Sequence, residues 1–262
     1  ADLGARVIKI ERPGVGDIGR QLAFGGLLVD GDALSFHLMN RNKESFAIDL
    51  KDAGDLELVK RLIKQADIII QNFRPGVMER IGLGYDAVRR LNPRIVYGSV
   101  SGYGTSGPWR DDPGQDLLAQ ARSALPWLNG SQNDGPIPVG IAVADVLAAC
   151  HLATGVLACL VRRERTGHGG LVETSLLESM IDLQFEAVSA YLHSDGLVPH
   201  REPANSAHPY LGAPYGIYGT TDGYLAIAMC SVPRLGEIIG LEELSQYEDP
   251  ASWLTDRTAI FT

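Results

Sequence analysis

Short apolar runs alternate with amphipathic stretches along the first 175 residues. Runs of strand length are predicted at residues 6–11, 45–50, 67–71, 94–100 and 171–174. Helices are predicted to begin at Asp55, Pro75, Asp86, Asp116, Ile141 and Ser175. Strands that alternate with helices predict a mostly parallel sheet covered by helices on both faces, which is an α/β fold.

The pattern changes after residue 195. Residues 196–214 are rich in Pro, His, Asn and Gly, which predicts a linker. Residues 215–218 and 224–229 then predict a hairpin around Asp222 and Gly223. We therefore expect a large Rossmann-like domain over 1–195 and the start of a smaller α+β domain over 215–262. The sequence opens without a methionine and stops after a charged, helix-like run, so we expect truncation at both ends.

One apolar run, from Ile141 to Val161, is long enough to span a bilayer. It contains Asp145 and His151, and both side chains would be costly inside a membrane. The run therefore predicts a buried helix packed on both sides, and we expect no membrane association.

Composition narrows the class of protein further. The net charge of −9 argues against a nucleic-acid partner, although a local basic pocket is compatible with it. Cys150, Cys159 and Cys230 are too few and too scattered for a disulfide framework or a metal site. They indicate reduced thiols and a cytoplasmic location.

Residues 14–19 match the glycine pattern GxGxxG of dinucleotide-binding turns. That pattern binds a pyrophosphate only where the glycines open a helix, and here Pro13 precedes them and no long helix follows. A simple turn is therefore favoured over NAD binding.

A second loop, residues 72–76, follows a predicted buried strand directly. In an open α/β sheet the carboxyl end of a strand faces the ligand crevice. Arg74 and Arg80 flank a helix start, which attracts anions, and Phe73 could stack on a flat ring. A solvated connecting loop is an equally good interpretation.

Asp145 is the most informative single residue, because a carboxylate in an apolar helix is costly unless it is paired or solvated. Near a helix N-terminus it would be held ionised, and an ionised carboxylate can be a nucleophile. Simple N-terminal capping is the alternative. His151, six residues on, lies on a different face and is interpreted as a core histidine.

Several motifs follow one another along nearly the whole chain, at residues 1–13, 16–17, 40–43, 71–76, 91–94, 101–104, 114–121, 145 and 165–169. Their order and spacing resemble family III CoA-transferases, the CaiB/BaiF family. That family contains formyl-CoA transferase, carnitine CoA-transferase and the α-methylacyl-CoA racemases.

The resemblance implies a role for each matching position. Asp145 matches the catalytic aspartate. The positions that match CoA-contacting segments are Arg12, Ile48, Asp49, Leu50, Lys51, Asn72, Phe73, Arg74 and Arg80. A loop near the pantetheine and thioester is matched by Pro113, Gly114, Gln115 and Asp116. Arginines suit the phosphates of CoA, so a local basic pocket would coexist with the acidic total.

The implied activity is transfer of CoA from an acyl-CoA donor to a carboxylic acid acceptor. Asp145 would carry an acyl-aspartyl anhydride and then an aspartyl-CoA thioester. The resemblance implies no metal and no tightly bound cofactor, with CoA and acyl-CoA as substrates. It also implies an interlocked homodimer in the intact protein.

The chain departs from the family pattern at several points. Ala144 stands where glycine is usual, and we expect its methyl group to crowd the approach to Asp145. Gly170 stands where glutamine is common. A strand before Ala1 and the end of the small domain are absent from the sequence, so this fragment could be inactive.

Three other functions stay open. A racemase needs a base on each face of its substrate, and Gln115 cannot serve as the histidine that precedes the loop aspartate in that branch, which favours transfer. An NAD-dependent oxidoreductase rests on the weak glycine pattern. A non-catalytic CoA-binding relic is compatible with Ala144 and the truncation.

Overall fold

The structure is a computed structural model that describes residues 1–261. It has an α/β fold and divides into two compact units. The first unit comprises Ala1–Ile69, Gly76–Tyr97 and Leu160–Gly170. The second comprises Ile70–Pro75, Gly98–Cys159 and the described residues from Leu171 onwards.

The described residues form ten strands and eleven α-helices. The strands are β1 Val7–Glu11, β2 Leu28–Val29, β3 Asp32–Ala33, β4 Lys43–Ala47, β5 Ile68–Gln71, β6 Val96–Ser101, β7 Gly170–Ser175, β8 Asn205–Ser206, β9 Gly216–Gly219 and β10 Tyr224–Ile227. The helices are α1 Leu34–Asn40, α2 Ala53–Ile63, α3 Val77–Arg80, α4 Tyr85–Leu91, α5 Asp116–Arg122, α6 Val143–Thr166, α7 Leu176–Leu183, α8 Phe185–His193, α9 Val232–Ile239, α10 Ser252–Thr255 and α11 Arg257–Phe261.

The first unit contains a parallel strand pair and an apolar core. Strand β1 pairs with β4 in parallel, from Val7 opposite Lys43 to Glu11 opposite Ala47. The core consists of Ile48, Val59, Ile63, Met78, Leu83, Val88, Ile95 and Tyr97. Helix α2 is capped by Asp52, whose side chain accepts a hydrogen bond from the Asp55 N–H, so the predicted cap at Asp55 is wrong by three residues.

The second unit holds a second apolar core and an antiparallel sheet of order β8–β9–β10. Its core consists of Ala119, Leu125, Ala144, Ala148, Leu176 and Met180. The predicted hairpin is present as β9 and β10. Strand β8 falls inside the segment predicted as a linker, and the predicted domain boundaries at residues 195 and 214 stay a prediction.

Helix α6 differs from its prediction. Ala144, Ala148, Leu152 and Val156 are buried at four-residue spacing, whereas Val146, Leu157 and Val161 are more than half exposed. The helix is therefore buried along one stripe and not on both sides. By length and composition it could cross a membrane, with 22% of its most apolar stretch buried. The absence of membrane association stays a prediction.

A third sheet has the order β5–β6–β7. Ser175, the last residue of β7, caps α7 as predicted, because its side chain accepts a hydrogen bond from the Glu178 N–H at 3.1 Å. The helix predicted to continue to residue 192 is interrupted at Gln184, where α7 ends and α8 begins.

Candidate active site

Two of the predicted CoA-contacting segments meet at one edge of the first unit. Arg12 follows the end of β1 and Ile48–Lys51 follow the end of β4, and the Ile48 N–H donates to the Glu11 carbonyl at 2.8 Å. Since β1 and β4 are parallel, these segments leave the sheet at the same edge. Ile48 itself is a core residue, so only its backbone is available to a ligand. The side chains of Arg12, Asp49 and Lys51 are exposed.

Arg80 lies on the one-turn helix α3 in the same unit. Met78 anchors this turn in the core, which leaves Arg80 exposed. The helix begins at Val77 after Gly76, whose φ of 81° lies in the left-handed region, and not at Pro75 as predicted.

The second unit carries the loop Asn72–Phe73–Arg74 at the end of β5. The Phe73 N–H donates to the Gln71 side-chain oxygen at 2.8 Å, and the Gln71 amide donates to the Ser99 hydroxyl at 2.8 Å. This bracing leaves the ring of Phe73 45% exposed and Arg74 in solvent. Gln71 is therefore a supporting residue to which sequence reasoning assigned no role.

The exposed arginines share a further property. Within residues 1–261, the guanidinium groups of Arg12, Arg74 and Arg80 make no hydrogen bond or ion pair with the protein, so their charges are available to an anionic ligand. The same holds for Arg61, Arg90 and Arg165, which lie within or at the end of longer helices. Arg12 and Arg74 therefore differ from these three helical arginines because they follow the ends of strands.

The loop Pro113–Gln115 is fixed by a close backbone contact. A Cβ atom on Gly114 would lie 2.4 Å from the Gly102 Cα, so neither glycine can carry a side chain without moving the backbone. The Tyr103 hydroxyl donates to the Pro113 carbonyl at 3.4 Å. This contact places Gln115 directly before α5, where it is exposed and is the N-cap residue.

Asp145 lies in the first turn of α6, and it is exposed. The Asp116 carboxylate, on α5, accepts hydrogen bonds from the backbone N–H groups of Ala144 at 2.8 Å and Asp145 at 3.1 Å. The structure thus brings together two of the predicted site residues, which lie 29 positions apart in the sequence. The cap of α6 is Asp116 from another helix, so Asp145 is not itself engaged in capping.

The electrostatics of Asp145 suit a nucleophile. Partial desolvation, followed by repulsion from Asp116, raises the pKa of the Asp145 carboxyl above its ordinary value. A more basic carboxylate is a better nucleophile once it is ionised. An exposed carboxylate of this kind can attack an electrophilic carbonyl carbon.

Ala144 does not crowd this carboxylate. It is fully buried and packs in the second core, so its methyl group faces the interior and not the solvent-facing side of Asp145. The expected steric effect is therefore wrong.

His151 is held away from this chemistry, but its side chain is partly exposed, so the prediction of a core histidine is wrong. Its Nδ1 lies 3.1 Å from the Ser179 hydroxyl, and its Nε2 lies 3.2 Å from the Asp182 carboxylate, so its ring links α6 to α7. Within residues 1–261, no three His, Cys, Asp or Glu side chains group as a metal site.

The glycine pattern at residues 14–19 forms a turn of another kind. The buried Glu11 carboxylate accepts from the Asp17 N–H at 2.9 Å and from Arg20 at 2.8 and 3.0 Å. The pattern ends in a short 3-10 turn, Ile18–Arg20, and the first α-helix of the described residues begins only at Leu34. The pattern therefore builds an internal ion pair, and the turn interpretation is confirmed over that of a helix-opening phosphate loop.

Comparison with known proteins identifies the family of this chain. The model of the family described as CoA-transferase family III matches residues 1–260. An acyl-CoA transferase of Fusarium pseudograminearum is 38% identical over 86% of this chain and 50% of its own length. An acetyl-CoA:oxalate CoA-transferase of Acetobacter aceti is 34% identical over 93% of this chain and 62% of its own length.

A solved structure is also similar. The crystal structure of a CaiB/BaiF family protein from Brucella suis has a TM-score of 0.82 and 32% identity, covering 99% of this chain and 70% of that protein. The chain spans about half to three fifths of the length of the curated relatives that it matches.

Proposed function

This chain belongs to CoA-transferase family III, and we propose that it moves CoA from an acyl-CoA donor to a carboxylic acid acceptor with Asp145 as the nucleophile. The observation that carries the proposal is the exposed carboxylate of Asp145, fixed at the start of α6 by hydrogen bonds from its own turn to Asp116. The relatives named above act, by their names, on acyl-CoA and on acetyl-CoA with oxalate.

The first half-reaction frees the donor acid. An Asp145 oxygen attacks the thioester carbonyl carbon, the C–S bond breaks, and an acyl-aspartyl anhydride and CoA thiolate form. The thiolate then attacks the aspartyl carbonyl of the anhydride. The donor leaves as a carboxylate, and an aspartyl-CoA thioester remains on Asp145.

The second half-reaction reverses these steps with the acceptor. The acceptor carboxylate attacks the aspartyl-CoA carbonyl, which releases the thiolate and forms a second anhydride. The thiolate attacks the acceptor carbonyl of that anhydride, so acyl-CoA product forms and the Asp145 carboxylate is regenerated. Each tetrahedral intermediate needs hydrogen-bond donors for its oxyanion, for which backbone N–H groups of the glycine-rich loops are suited.

CoA is proposed to bind at the strand ends. In the first unit, Arg12 and residues 48–51 offer exposed cations for phosphates. In the second unit, taken by itself, the loop of Asn72, Phe73 and Arg74 offers an exposed cation for a phosphate and an aromatic ring for adenine. No tightly bound cofactor is needed for this chemistry. We also propose that the intact protein is an interlocked homodimer in the cytoplasm.

Trapping of the intermediate tests the nucleophile. The purified protein is incubated with a panel of acyl-CoAs, quenched with hydroxylamine or borohydride, and digested for mass spectrometry. We expect modification of the peptide that contains Asp145, and none in Asp145→Ala. Glu243→Gln, which removes an exposed carboxylate from a short 3-10 turn, is the matched control and should label like the wild type.

The opposite outcomes are equally informative. CoA binding without an adduct for any donor would overturn the covalent route and favour a CoA-binding relic. Deuterium incorporation at the α-carbon of 2-methylacyl-CoA in deuterium oxide, without an adduct, would favour the racemase. The exposed Gln115 supports transfer, because its amide cannot act as the second base of a racemase.

A further inference from the structure

The sequence predicts Asp116 only as part of a loop near the thioester, but its carboxylate has a more specific set of partners. One oxygen, Oδ2, accepts hydrogen bonds from the backbone N–H groups of Ala144 and Asp145. The other oxygen, Oδ1, accepts a hydrogen bond from the Gln120 side-chain amide at 2.5 Å. Three donors therefore converge on one carboxylate, and one of them is the N–H of the proposed nucleophile.

Gln120 makes this arrangement specific for a carboxylate. It is buried, its oxygen accepts the Val139 N–H at 3.0 Å, and its amide also reaches the Ile141 carbonyl at 3.3 Å. These contacts fix which end of the Gln120 amide faces Asp116. An asparagine at position 116 would present one NH₂ group, either to the Gln120 amide or to the α6 N–H groups, and would leave two donors facing each other.

The element that carries Asp116 is itself braced. The contact between Gly102 and Gly114 fixes the chain two residues before α5. Arg122, at the end of α5, pairs with Asp112 at 2.7 Å and stacks on the rings of Tyr103 and Trp109 at 4.3 and 4.7 Å. Asp116 is thus held by a preorganised loop, as positioning groups in active sites need to be.

We infer that Asp116 is a positioning residue for Asp145: it fixes the first turn of α6 so that the Asp145 carboxylate faces an incoming thioester, and it holds a negative charge beside that carboxylate. The inference rests on the proposed role of Asp145 as nucleophile. An ordinary helix cap would also stabilise α6. The Asp116 cap differs from an ordinary helix cap in two ways. It holds the backbone N–H of the nucleophile itself, and its negative charge repels the charge of the Asp145 carboxylate.

The charge has a testable consequence with a definite sign. Within residues 1–261, Asp116 on α5 is the charged residue that acts on Asp145, and its repulsion adds to desolvation in raising the pKa of that carboxyl. Attack requires ionised Asp145, so labelling is lost as the pH falls through this raised pKa. Removing the charge of Asp116 lowers the pKa of Asp145 and moves the acid limb of the labelling profile to lower pH.

The experiment measures the rate of Asp145 acylation by a donor that labels the wild type, as a function of pH, in Asp116→Asn. We expect a plateau rate lower by about 10- to 100-fold, an acid limb moved to lower pH, and a CoA dissociation constant within about twofold of the wild type. Asp111→Asn is the matched control, because it removes an exposed carboxylate from the same loop whose ion-pair partner is the neighbouring Arg110 and not a residue of α5 or α6. Its acid limb should stay in place.

A second variant tests whether a slower rate in Asp116→Asn comes from misfolding. In the double variant Asp116→Asn with Gln120→Glu, the asparagine amide can donate to the side chain of the introduced glutamate in its neutral form, which still accepts the Val139 N–H and whose O–H replaces the Gln120 amide as donor to the Ile141 carbonyl. We expect this variant to recover thermal stability and part of the plateau rate, but not the original acid limb. An unchanged rate and limb in Asp116→Asn, with labelling intact in the wild type, would overturn the inference. Failure of the wild type to label would instead contradict the proposed function.

Discussion

At the scale of single residues, a buried carboxylate organises the glycine-rich turn at residues 14–19. This carboxylate is that of Glu11, which is 5% exposed and binds Arg20 through two hydrogen bonds. The hydrogen bond from Arg20 is the main cause that lowers the pKa of Glu11 from 4.5 to about 2. A pattern that could have opened a phosphate-binding helix therefore closes on an internal ion pair.

Glu11→Gln should destabilise the protein strongly. Because it removes the charge from one partner of a largely buried ion pair, we expect the free energy of unfolding to fall by roughly 2–3 kcal/mol at pH 7. The folded-state pKa is depressed, so this stabilisation is fully present above the unfolded value near 4.5 and is lost as the pH falls towards 2. Urea denaturation at pH 7 and pH 3 measures both effects.

The matched control for Glu11→Gln is Glu44→Gln. Glu44 also accepts two hydrogen bonds from one arginine, Arg6, at 2.6 and 2.9 Å, but that pair is exposed. Its loss should leave the free energy of unfolding nearly unchanged, because solvent screens an exposed ion pair. Equal costs for the two variants would show that burial does not strengthen the Glu11 pair.

At the scale of elements, local signals were predicted well and contacts between elements were not. The α5 start at Asp116 and the Ser175 cap of α7 are confirmed, because both depend on residues within one turn. The predicted cap of α2 is Asp55, whereas the observed cap is Asp52. Both aspartates suit a helix start, and only the folded backbone shows which of them caps the helix. The Asp116–Asp145 contact joins separate helices, so no periodicity could reveal it.

The close approach of two backbones before α5 gives an element-scale prediction. Gly114→Ala would place a methyl carbon 2.4 Å from the Gly102 Cα, so the loop must move. Overpacking of this kind costs about 1–3 kcal/mol, and the shift should also displace Asp116 and slow acylation at Asp145. Thermal denaturation and the labelling assay measure the two effects.

Gly135→Ala is the control for that substitution. Gly135 lies in a polar loop of the same unit, and a methyl group added to it would have no neighbouring atom within 4 Å. Its replacement should change neither stability nor labelling appreciably. A Gly114→Ala variant that behaved the same way would show that the backbone contact has no role in the site.

At the scale of the whole molecule, the acidic total charge and the proposed anionic substrate repel each other, whereas the arginines at the strand ends attract that substrate. The two effects act at different ranges. The net charge of −9 repels CoA weakly, because salt screens it beyond about 8–10 Å. Exposed arginines at strand ends act within hydrogen-bond distance.

The family could be predicted from the sequence because its motifs cover nearly the whole chain, whereas the burial of α6 along one stripe required the structure.

The comparison of Arg74→Gln with Arg90→Gln separates local from total charge. Both substitutions change the net charge by the same amount, and both arginines are exposed and unpaired within the described residues. Arg74 follows β5 directly, whereas Arg90 lies within α4. If charge-assisted hydrogen bonds to phosphate form at the strand end, Arg74→Gln should raise the CoA dissociation constant about 10-fold in calorimetry at low salt. Arg90→Gln should leave it within about twofold, and equal effects would mean that CoA senses only the total charge.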